Sequence, residues 1–138
     1  MLRFLEKNKT LLVYWPLGIY WGIILTLTSL PGDDLPDVKI SDKIEHFLAF
    51  WGLAVLLKLT LTLQDKYQKL KKYSALFTLL IVGVYAALDE IHQLFIPGRD
   101  CQFLDWVADF TGATVAVLLV GLIIKYTSPK MADKGQFG

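Results

Sequence analysis

Acidic side chains and histidines, the residue types that exchange protons and bind cations, lie at the ends of long apolar segments in this chain. Ten of the 13 acidic residues lie in or beside two predicted connections on one side of a membrane. These ten are Asp33, Asp34, Asp37, Asp42, Glu45, Asp89, Glu90, Asp100, Asp105 and Asp109. His46, His92, Gln93 and Arg99 accompany them. Because ionisable groups at membrane depth are costly, this pattern indicates pairing partners, a ligand, or both.

The elements that must position these residues are predicted to be membrane-spanning helices. The chain has 138 residues, 54% of them hydrophobic, and a mean hydropathy of +0.47. Four apolar stretches account for this composition, and at about 1.5 Å per residue each can cross a hydrocarbon core of about 30 Å. We predict spans at 11–30, 44–63, 73–94 and 104–126, forming one all-α, polytopic four-helix membrane domain over residues 1–138. The tail after residue 129 is predicted to be disordered.

Basic residues predict the orientation of the bundle. Ten of the 14 lysines and arginines lie at the termini or in the connection between the second and third spans. They are Arg3, Lys7, Lys9, Lys66, Lys69, Lys71, Lys72, Lys125, Lys130 and Lys134. The positive-inside rule therefore places both termini in the cytoplasm and the acidic connections outside. Lys58, near the inner end of its span, is expected to extend to the cytoplasmic surface. The basic residues are dispersed without a nucleic-acid-binding motif, so no such partner is predicted.

Three spans share one pattern, with polar residues at the outer end and small residues deeper in the same helical face. The faces comprise Asp42, Glu45, His46, Ala49 and Gly52 in the second span, Val82, Tyr85, Ala86, Asp89, His92 and Gln93 in the third, and Asp105, Ala108, Asp109, Gly112 and Ala116 in the fourth. Polar faces turn away from lipid, so we expect all three to point into the bundle. The topology brings their polar ends to one leaflet, which predicts a single outward-opening polar pocket.

Local signals add three expectations. Ser41 or Asp42 is suited to be the N-cap of the second span. Pro97-Gly98 predicts a type II turn that places Arg99 at the mouth of the pocket. In the first span, small residues at four-residue spacing, Gly18, Gly22 and Thr26, predict a close-packing stripe. Cys101 is the only cysteine, so no internal disulfide forms, and no basic cluster adjoins it to make it a nucleophile.

Four motifs in order make the chain resemble the VanZ-like membrane proteins. They are Ser41-Asp-Lys-x-x-His46, Asp89-Glu-x-x-Gln93, Pro97-Gly-Arg99 and Asp105-x-x-x-Asp109-x-x-Gly112. The resemblance implies a four-helix fold and an envelope-related role but no defined reaction; the family is named for a protein that confers teicoplanin resistance. Asp109 occupies a position where the family often has Asn. His92 occupies one that is usually apolar.

The polar residues support three interpretations, which the sequence leaves open. They could form a structural hydrogen-bonded network, since intramembrane polar bonds are often worth only ~0.6 kcal/mol and polar residues near the interface are tolerated. They could bind an anionic envelope component, with Arg99 and Lys43 as cations and His46 as acid–base centre. They could instead hold a divalent cation, because Asp105 and Asp109 lie about 6 Å apart along one helix. No metal-ligand motif is present, so no metal ligand or cofactor is assigned.

From these observations we expect a bacterial inner-membrane protein whose pocket recognises an envelope lipid, a lipid-linked precursor or a lipophilic glycopeptide-type molecule. The predicted binding residues are Asp42, Lys43, His46, Asp89, Glu90, Gln93, Arg99, Asp105 and Asp109. His46, Asp89 and Asp105 are the catalytic candidates if any reaction occurs. The alternative is a membrane scaffold or partner-binding subunit whose polar cluster is structural. A transporter is disfavoured because charged residues do not continue through the middle of the spans.

Overall fold

Four long apolar helices make up most of the chain in a computed structural model that describes residues 2–32 and 41–127. The helices are α1 (Leu2–Lys7), α2 (Trp15–Thr28), α3 (Asp42–Leu63), α4 (Gln68–Lys72), α5 (Ser74–Gln93) and α6 (Phe103–Thr127), and a π-helical turn over Thr10–Tyr14 leads into α2. The helical stretches Thr10–Thr28, Asp42–Leu63, Ser74–Gln93 and Phe103–Thr127 are long and apolar enough to cross a membrane. The predicted all-α four-helix membrane bundle is confirmed.

Several residues singled out in the sequence lie outside the described part of the chain. In the connection before α3 these are Asp33, Asp34, Asp37 and Lys39. Lys130, Lys134 and the whole tail after residue 129 also lie outside it. The four spanning stretches, the first of which includes the π-helical turn, begin and end within two residues of the predicted spans.

Helix α3 begins through main-chain contacts. Ser41 is its N-cap, with extended backbone angles (φ −61°, ψ 133°), and makes no side-chain capping bond. Its carbonyl accepts hydrogen bonds from the amides of Ile44 (2.8 Å) and Glu45 (3.2 Å). Asp42 and Glu45 lie in the first turn, where negative charge is favourable near the positive end of the helix dipole. Of the two predicted N-cap residues, Ser41 is therefore the one observed.

Helices α3 and α6 come into close backbone contact at Gly112. A Cβ atom at this position would meet the carbonyl oxygen of Phe47 and lie 3.2 Å from the amide nitrogen of Trp51. Only glycine allows two backbones to come this near without a shift. Helix α5 packs against the same pair, and the core between the three helices includes the fully buried Leu53, Val82 and Ala113.

The two ends of the bundle differ in charge. At the acidic end, where α3 begins and α5 ends, lie Asp42, Glu90 and Asp105. At the basic end, Lys9 donates to the carbonyl of Leu63 (3.1 Å) and pairs with Asp65. This pairing raises the pKa of Lys9 and lowers the pKa of Asp65 from their ordinary values.

Lys58 differs from expectation. Its ammonium group does not extend to solvent: the residue is 8% exposed and donates a hydrogen bond of 2.6 Å to Ser74 Oγ at the start of α5. Thr62 Oγ1 also donates to Ser74 Oγ, at 3.2 Å. Lys58 thus joins α3 to α5 at the basic end of the bundle.

Helix α2 packs through aromatic residues and not through its small ones. Gly18 and Gly22 are exposed, and a Cβ at either would find nothing within 4 Å. The predicted close-packing stripe of Gly18, Gly22 and Thr26 is therefore wrong for contacts within the described chain. Instead, Tyr20 donates to the Ala49 carbonyl at 3.1 Å, and the Trp21 ring meets that of Tyr85 edge to face at 5.2 Å. Aromatic rings bury far more apolar area than glycines, which explains why the aromatic face of α2, and not the glycine face, packs against the bundle.

Candidate functional site

The polar tips of α3, α5 and α6 meet at the acidic end. His46 of α3 hydrogen-bonds through Nδ1 to Asp109 Oδ1 of α6 at 3.0 Å. The same Nδ1 lies 3.9 Å from Glu90 Oε1 of α5. All three residues are buried, with exposures of 8% for His46, 4% for Glu90 and 0% for Asp109. We call these three residues the histidine cluster; it lies where the three polar helix faces were predicted to converge.

A second pairing lies on the outer side of this cluster. Lys43 Nζ is 2.8 Å from Asp105 Oδ1 and donates to Gln102 Oε1 at 3.1 Å. Asp42 Oδ1 lies 3.9 Å from His46 Nε2, so this carboxylate faces the second ring nitrogen of the histidine. Asp105 and Asp109, which were expected to be able to reach one ion, have separate partners. Lys43 neutralises Asp105, whereas Asp109 contacts His46.

The end of α5 contributes a third set of polar contacts. Gln93 Nε2 donates to Asp89 Oδ2 at 3.3 Å, and both residues are buried. Glu90 Oε2 accepts a hydrogen bond of 2.9 Å from the main-chain amide of Gln102. Glu90 therefore holds the connection before α6 against α5 while its other oxygen faces His46. Asp89, a predicted catalytic residue, contacts Gln93 and lies outside the ion pairs described above.

Arg99 lies apart from the histidine cluster. It follows the turn at Pro97-Gly98, where Gly98 has a φ of 73° and the Arg99 amide donates to the Ile96 carbonyl at 3.2 Å. These features match the predicted type II turn. Arg99 Nη2 donates to the Leu27 carbonyl at 3.1 Å, in the last turn of α2 where a cation is favourable. The sequence indicated Arg99 as an anion binder but did not predict this link to α2.

His92 and Glu45 do not reach the cluster. His92 is exposed, and its Nε2 lies 3.2 Å from Ser29 Oγ after the end of α2. Glu45 is exposed on α3, one position before the buried His46. The three-and-four spacing that selected these two residues covers a wider arc of the helix than the buried face does.

Four buried carboxylate oxygens make no hydrogen bond among residues 2–32 and 41–127: Asp89 Oδ1, Glu90 Oε1, Asp105 Oδ1 and Asp109 Oδ2. Of these, Asp105 Oδ1 has the Lys43 ammonium 2.8 Å away as an ion-pair partner. Four buried acids, Asp89, Glu90, Asp105 and Asp109, face only His46 and Lys43 as nearby cationic groups in this part of the chain. An unsatisfied buried acceptor costs about 1–3 kcal/mol, and more when charged. The site therefore has an excess of acceptors that a proton, a cation or a ligand donor would satisfy.

Two neighbouring pockets open beside these carboxylates. An apolar groove between α5 and α6, of about 360 Å³, is lined by Ala87, Glu90, Ile91, Cys101, Gln102, Phe103 and Trp106. A polar pocket of about 160 Å³ is lined by Asp42, Gln93, Gly98, Arg99, Asp100 and Gln102. Gln102 borders both, so the groove and the pocket adjoin. We call them the α5–α6 groove and the Arg99 pocket.

Sequence reasoning missed the α5–α6 groove and the role of Gln102. Trp106, which lines the groove, donates from its Nε1 to the Gly83 carbonyl at 3.0 Å. The cluster Cys101-Gln-Phe103 carried no motif that could have revealed it. Desolvation, together with the nearby Glu90 carboxylate, raises the pKa of the Cys101 thiol. A raised pKa lowers the fraction of reactive thiolate at neutral pH.

Comparison with known proteins gives one family match. A family model described as VanZ/LLP1 matches residues 8–124. The matched region begins before α2, ends within α6 and includes the histidine cluster, the Arg99 pocket and the α5–α6 groove. No curated protein and no solved structure matches the chain.

Proposed function

The chain belongs to the VanZ/LLP1 family, as a multi-pass membrane protein with an envelope-related role, and we propose that its acidic end binds an amphiphile of the cell envelope. In this proposal a hydrocarbon chain occupies the α5–α6 groove and a polar headgroup occupies the Arg99 pocket. The ligand class is an envelope lipid, a lipid-linked precursor or an acylated glycopeptide. These share one long hydrocarbon chain joined to a hydrogen-bonding headgroup.

The observation that carries the proposal is the shared border at Gln102. An apolar groove alone fits any bilayer lipid, and a polar pocket alone fits any small solute. Here the two adjoin, with Gln102 lining both. The groove also lies on the lateral surface of the bundle, since two of its lining residues, Ile91 and Phe103, are 52% and 73% exposed. A ligand could therefore enter sideways from the bilayer while its headgroup stays at the membrane boundary.

The chemistry of the Arg99 pocket supports a headgroup with both acidic and hydroxyl or amide groups. Arg99 has five N–H donors, and one hydrogen bond to Leu27 is described for its side chain. Its remaining donors suit a phosphate or carboxylate. Asp42, Gln93 and Asp100 offer acceptors and an amide for hydroxyl or amide groups. Lys43 is already paired with Asp105, so among residues 2–32 and 41–127 Arg99 is the cation at this end left for an anionic headgroup.

We place the acidic end on the extracytoplasmic side of the inner membrane, with both termini in the cytoplasm. The support is the charge asymmetry: the basic end has Lys9, Lys66, Lys69, Lys71 and Lys72, whereas Lys43 and Arg99 lie at the other end. In this orientation the Arg99 pocket meets ligands of the outer leaflet. Labelling single cysteines with a membrane-impermeant reagent tests it, since exposed Cys101 should react from outside in spheroplasts.

A groove-filling substitution tests the proposed function directly. Ile91→Trp adds a ring to the α5–α6 groove at an exposed position, so the fold should be retained. Leu88→Trp is the matched control: it is 58% exposed on the same helix and does not line the groove. We expect Ile91→Trp to weaken amphiphile binding at least about 10-fold, because a change of even one methylene group in an apolar pocket has an effect of this size. Leu88→Trp should bind as the wild type does.

Native mass spectrometry of the purified chain in mild detergent provides the measurement. Phosphatidylglycerol, a polyprenyl phosphate and teicoplanin serve as probes for the three ligand sources. Whichever probe binds saturably should lose affinity in Ile91→Trp and in Arg99→Gln. Equal affinity of wild type and Ile91→Trp for all three probes would contradict the proposal.

A scaffold role is the second candidate, favoured by a different observation. Contacts at the acidic end tie all four membrane helices together: Arg99 to the α2 carbonyl of Leu27, Lys43 to Asp105 between α3 and α6, and Glu90 to the amide of Gln102. If this network only specifies folding, Arg99→Gln should lower the unfolding temperature in detergent. The wild type would then bind none of the three probes.

A further inference from the structure

The histidine cluster has the ligand geometry of a metal site. His46 Nδ1, Glu90 Oε1 and Asp109 Oδ1 come from three different helices, and the ligand atoms of these three residues lie within 4.8 Å of one another. Bonds of about 2.0–2.2 Å to a common ion would separate adjacent ligand atoms by about 3.0–3.5 Å. The observed separations from His46 Nδ1 are 3.0 Å to Asp109 and 3.9 Å to Glu90. The third pair, Glu90 and Asp109, lies within 4.8 Å, so side-chain shifts of about 1 Å would bring all three separations into this range.

Unpartnered oxygens provide a second and independent observation. Glu90 Oε1 and Asp109 Oδ2 are buried and make no hydrogen bond within the described residues, although both residues are at least nine-tenths buried. Glu90 Oε1 faces His46 Nδ1, so it is aimed into the cluster. Asp109 is fully buried, with 0% exposure. Two buried carboxylates here face the single imidazole of His46, and the one described ammonium nearby, Lys43, contacts Asp105 instead.

Asp42 lies near the ring nitrogen of His46 that points away from the buried acids, where a small movement would let it support a metal-bound histidine. A ligating imidazole usually donates its other ring N–H to a carboxylate, which orients the ring. His46 Nε2 lies 3.9 Å from Asp42 Oδ1, so Nδ1 is the nitrogen directed at the buried acids and Nε2 the one directed at Asp42. A second group, Asp42, His46 and Asp105, also has ligand spacing. The buried group is favoured because Lys43 already neutralises Asp105.

We propose that His46, Glu90 and Asp109 form a binding site for one divalent transition-metal ion, Zn²⁺ or Mn²⁺. One imidazole with two carboxylates suits these ions, whereas Mg²⁺ and Ca²⁺ prefer oxygen ligands alone. The ion links α3, α5 and α6 at the acidic end and balances the excess of carboxylates. The site is distinct from the Arg99 pocket, and its test requires no amphiphile.

Calorimetric titration tests the site on the full-length chain in detergent, purified with a tag that contains no histidine and treated with a chelator. ZnCl₂ and MnCl₂ are the probes. We expect saturable 1:1 binding of at least one of them, with Mg²⁺ failing to compete at equal concentration. His46→Ala and Asp109→Asn each remove a proposed ligand and should weaken binding at least about 10-fold, the smallest loss typical when even an outer-shell partner of a metal site is removed. His92→Ala is the matched control, because His92 is the other histidine and contacts Ser29 outside the cluster; it should bind as the wild type does.

A measurement on the wild type guards against variants that fail to fold. Zinc K-edge X-ray absorption of the Zn²⁺-bound protein should show one imidazole with oxygen ligands. Bound metal should also raise the unfolding temperature, since a ligand that binds only the folded state stabilises it. The proposal is overturned if the wild type binds neither ion, if Mg²⁺ competes equally, if folded His46→Ala binds as well as the wild type, or if the absorption spectrum lacks imidazole scattering.

Discussion

Replacing Gly112 by alanine should destabilise the bundle, whereas the same change at Gly18 should not. Gly112 lies where α6 meets the backbone of α3, and a Cβ there would lie 3.1 Å from the Phe47 carbonyl carbon and 3.2 Å from the Trp51 nitrogen, with the Phe47 oxygen closer still. Backbone atoms cannot rotate away as a side chain can, so α3 and α6 must separate. Overpacking of this kind costs about 1–3 kcal/mol.

The control removes the effect of helix propensity. Gly→Ala within a helix is itself favourable by about 0.5–1 kcal/mol, and this gain applies to both positions. A Cβ at Gly18 meets nothing within 4 Å, so Gly18→Ala should be neutral or slightly stabilising. The difference in unfolding free energy between the two variants should therefore be the overpacking cost alone, about 1–3 kcal/mol.

Reversible unfolding in mixed detergent with SDS measures this difference. Separation of α3 from α6 should also lengthen the 3.0 Å bond between His46 and Asp109, because Asp109 lies one turn from Gly112 and His46 precedes Phe47. Consequently Gly112→Ala should weaken Zn²⁺ binding as well as stability. Equal unfolding free energies for Gly112→Ala and Gly18→Ala would refute the close helix contact.

Three further predictions concern other contacts. Ser74→Ala should lower the free energy of unfolding by about 1–3 kcal/mol, because it leaves the buried Lys58 ammonium without its described acceptor. Lys58→Met removes the charge and retains the packing, so its free energy of unfolding should equal or exceed that of the wild type. Unfolding in SDS measures both variants. The exposed pair of Lys9 and Asp65 should stabilise the folded chain fully between pH 3.8 and pH 10.5, the ordinary pKa values of the two groups. This stabilisation should be lost as the pH falls through the lowered pKa of Asp65, or as it rises through the raised pKa of Lys9. Asp65→Asn should therefore flatten the acid limb of a plot of unfolding temperature against pH; an unchanged limb would rule the pair out as its cause. Trp106→Phe should cost about 0.5–1.5 kcal/mol through loss of the bond to the Gly83 carbonyl, and thermal unfolding equal to the wild type would contradict that role.

Hydropathy and periodicity predicted the parts of the structure that depend on burial in lipid. The four spans follow from length and composition, and the meeting of the polar tips of α3, α5 and α6 follows from the rule that polar faces turn inward. The type II turn at Pro97-Gly98 was also predictable, because it depends only on the preferences of these two neighbouring residues. For these features each residue's preference agrees with the overall fold.

Pairing within the polar cluster could not be predicted, because it depends on distances between helices. The sequence allowed Asp105 and Asp109 to share one partner, but the rotation of α6 gives Asp105 to Lys43 and Asp109 to His46. Arg99 contacts a main-chain carbonyl of α2. Every residue has such a carbonyl, so a sequence does not indicate which one a side chain will contact. The small residues of α2 were misassigned because spacing alone does not indicate which face of a helix packs inward.

A structure of the full-length chain in native-lipid nanodiscs, bound to an antibody fragment that leaves the acidic end free, tests the account most directly. We predict elongated density in the α5–α6 groove along Ile91 and Trp106 that continues past Gln102 to a headgroup beside Arg99. The polar tips of α3, α5 and α6 should surround the histidine cluster in the same map. Separated tips, or a groove closed by its own side chains with no density leading to Arg99, would contradict it.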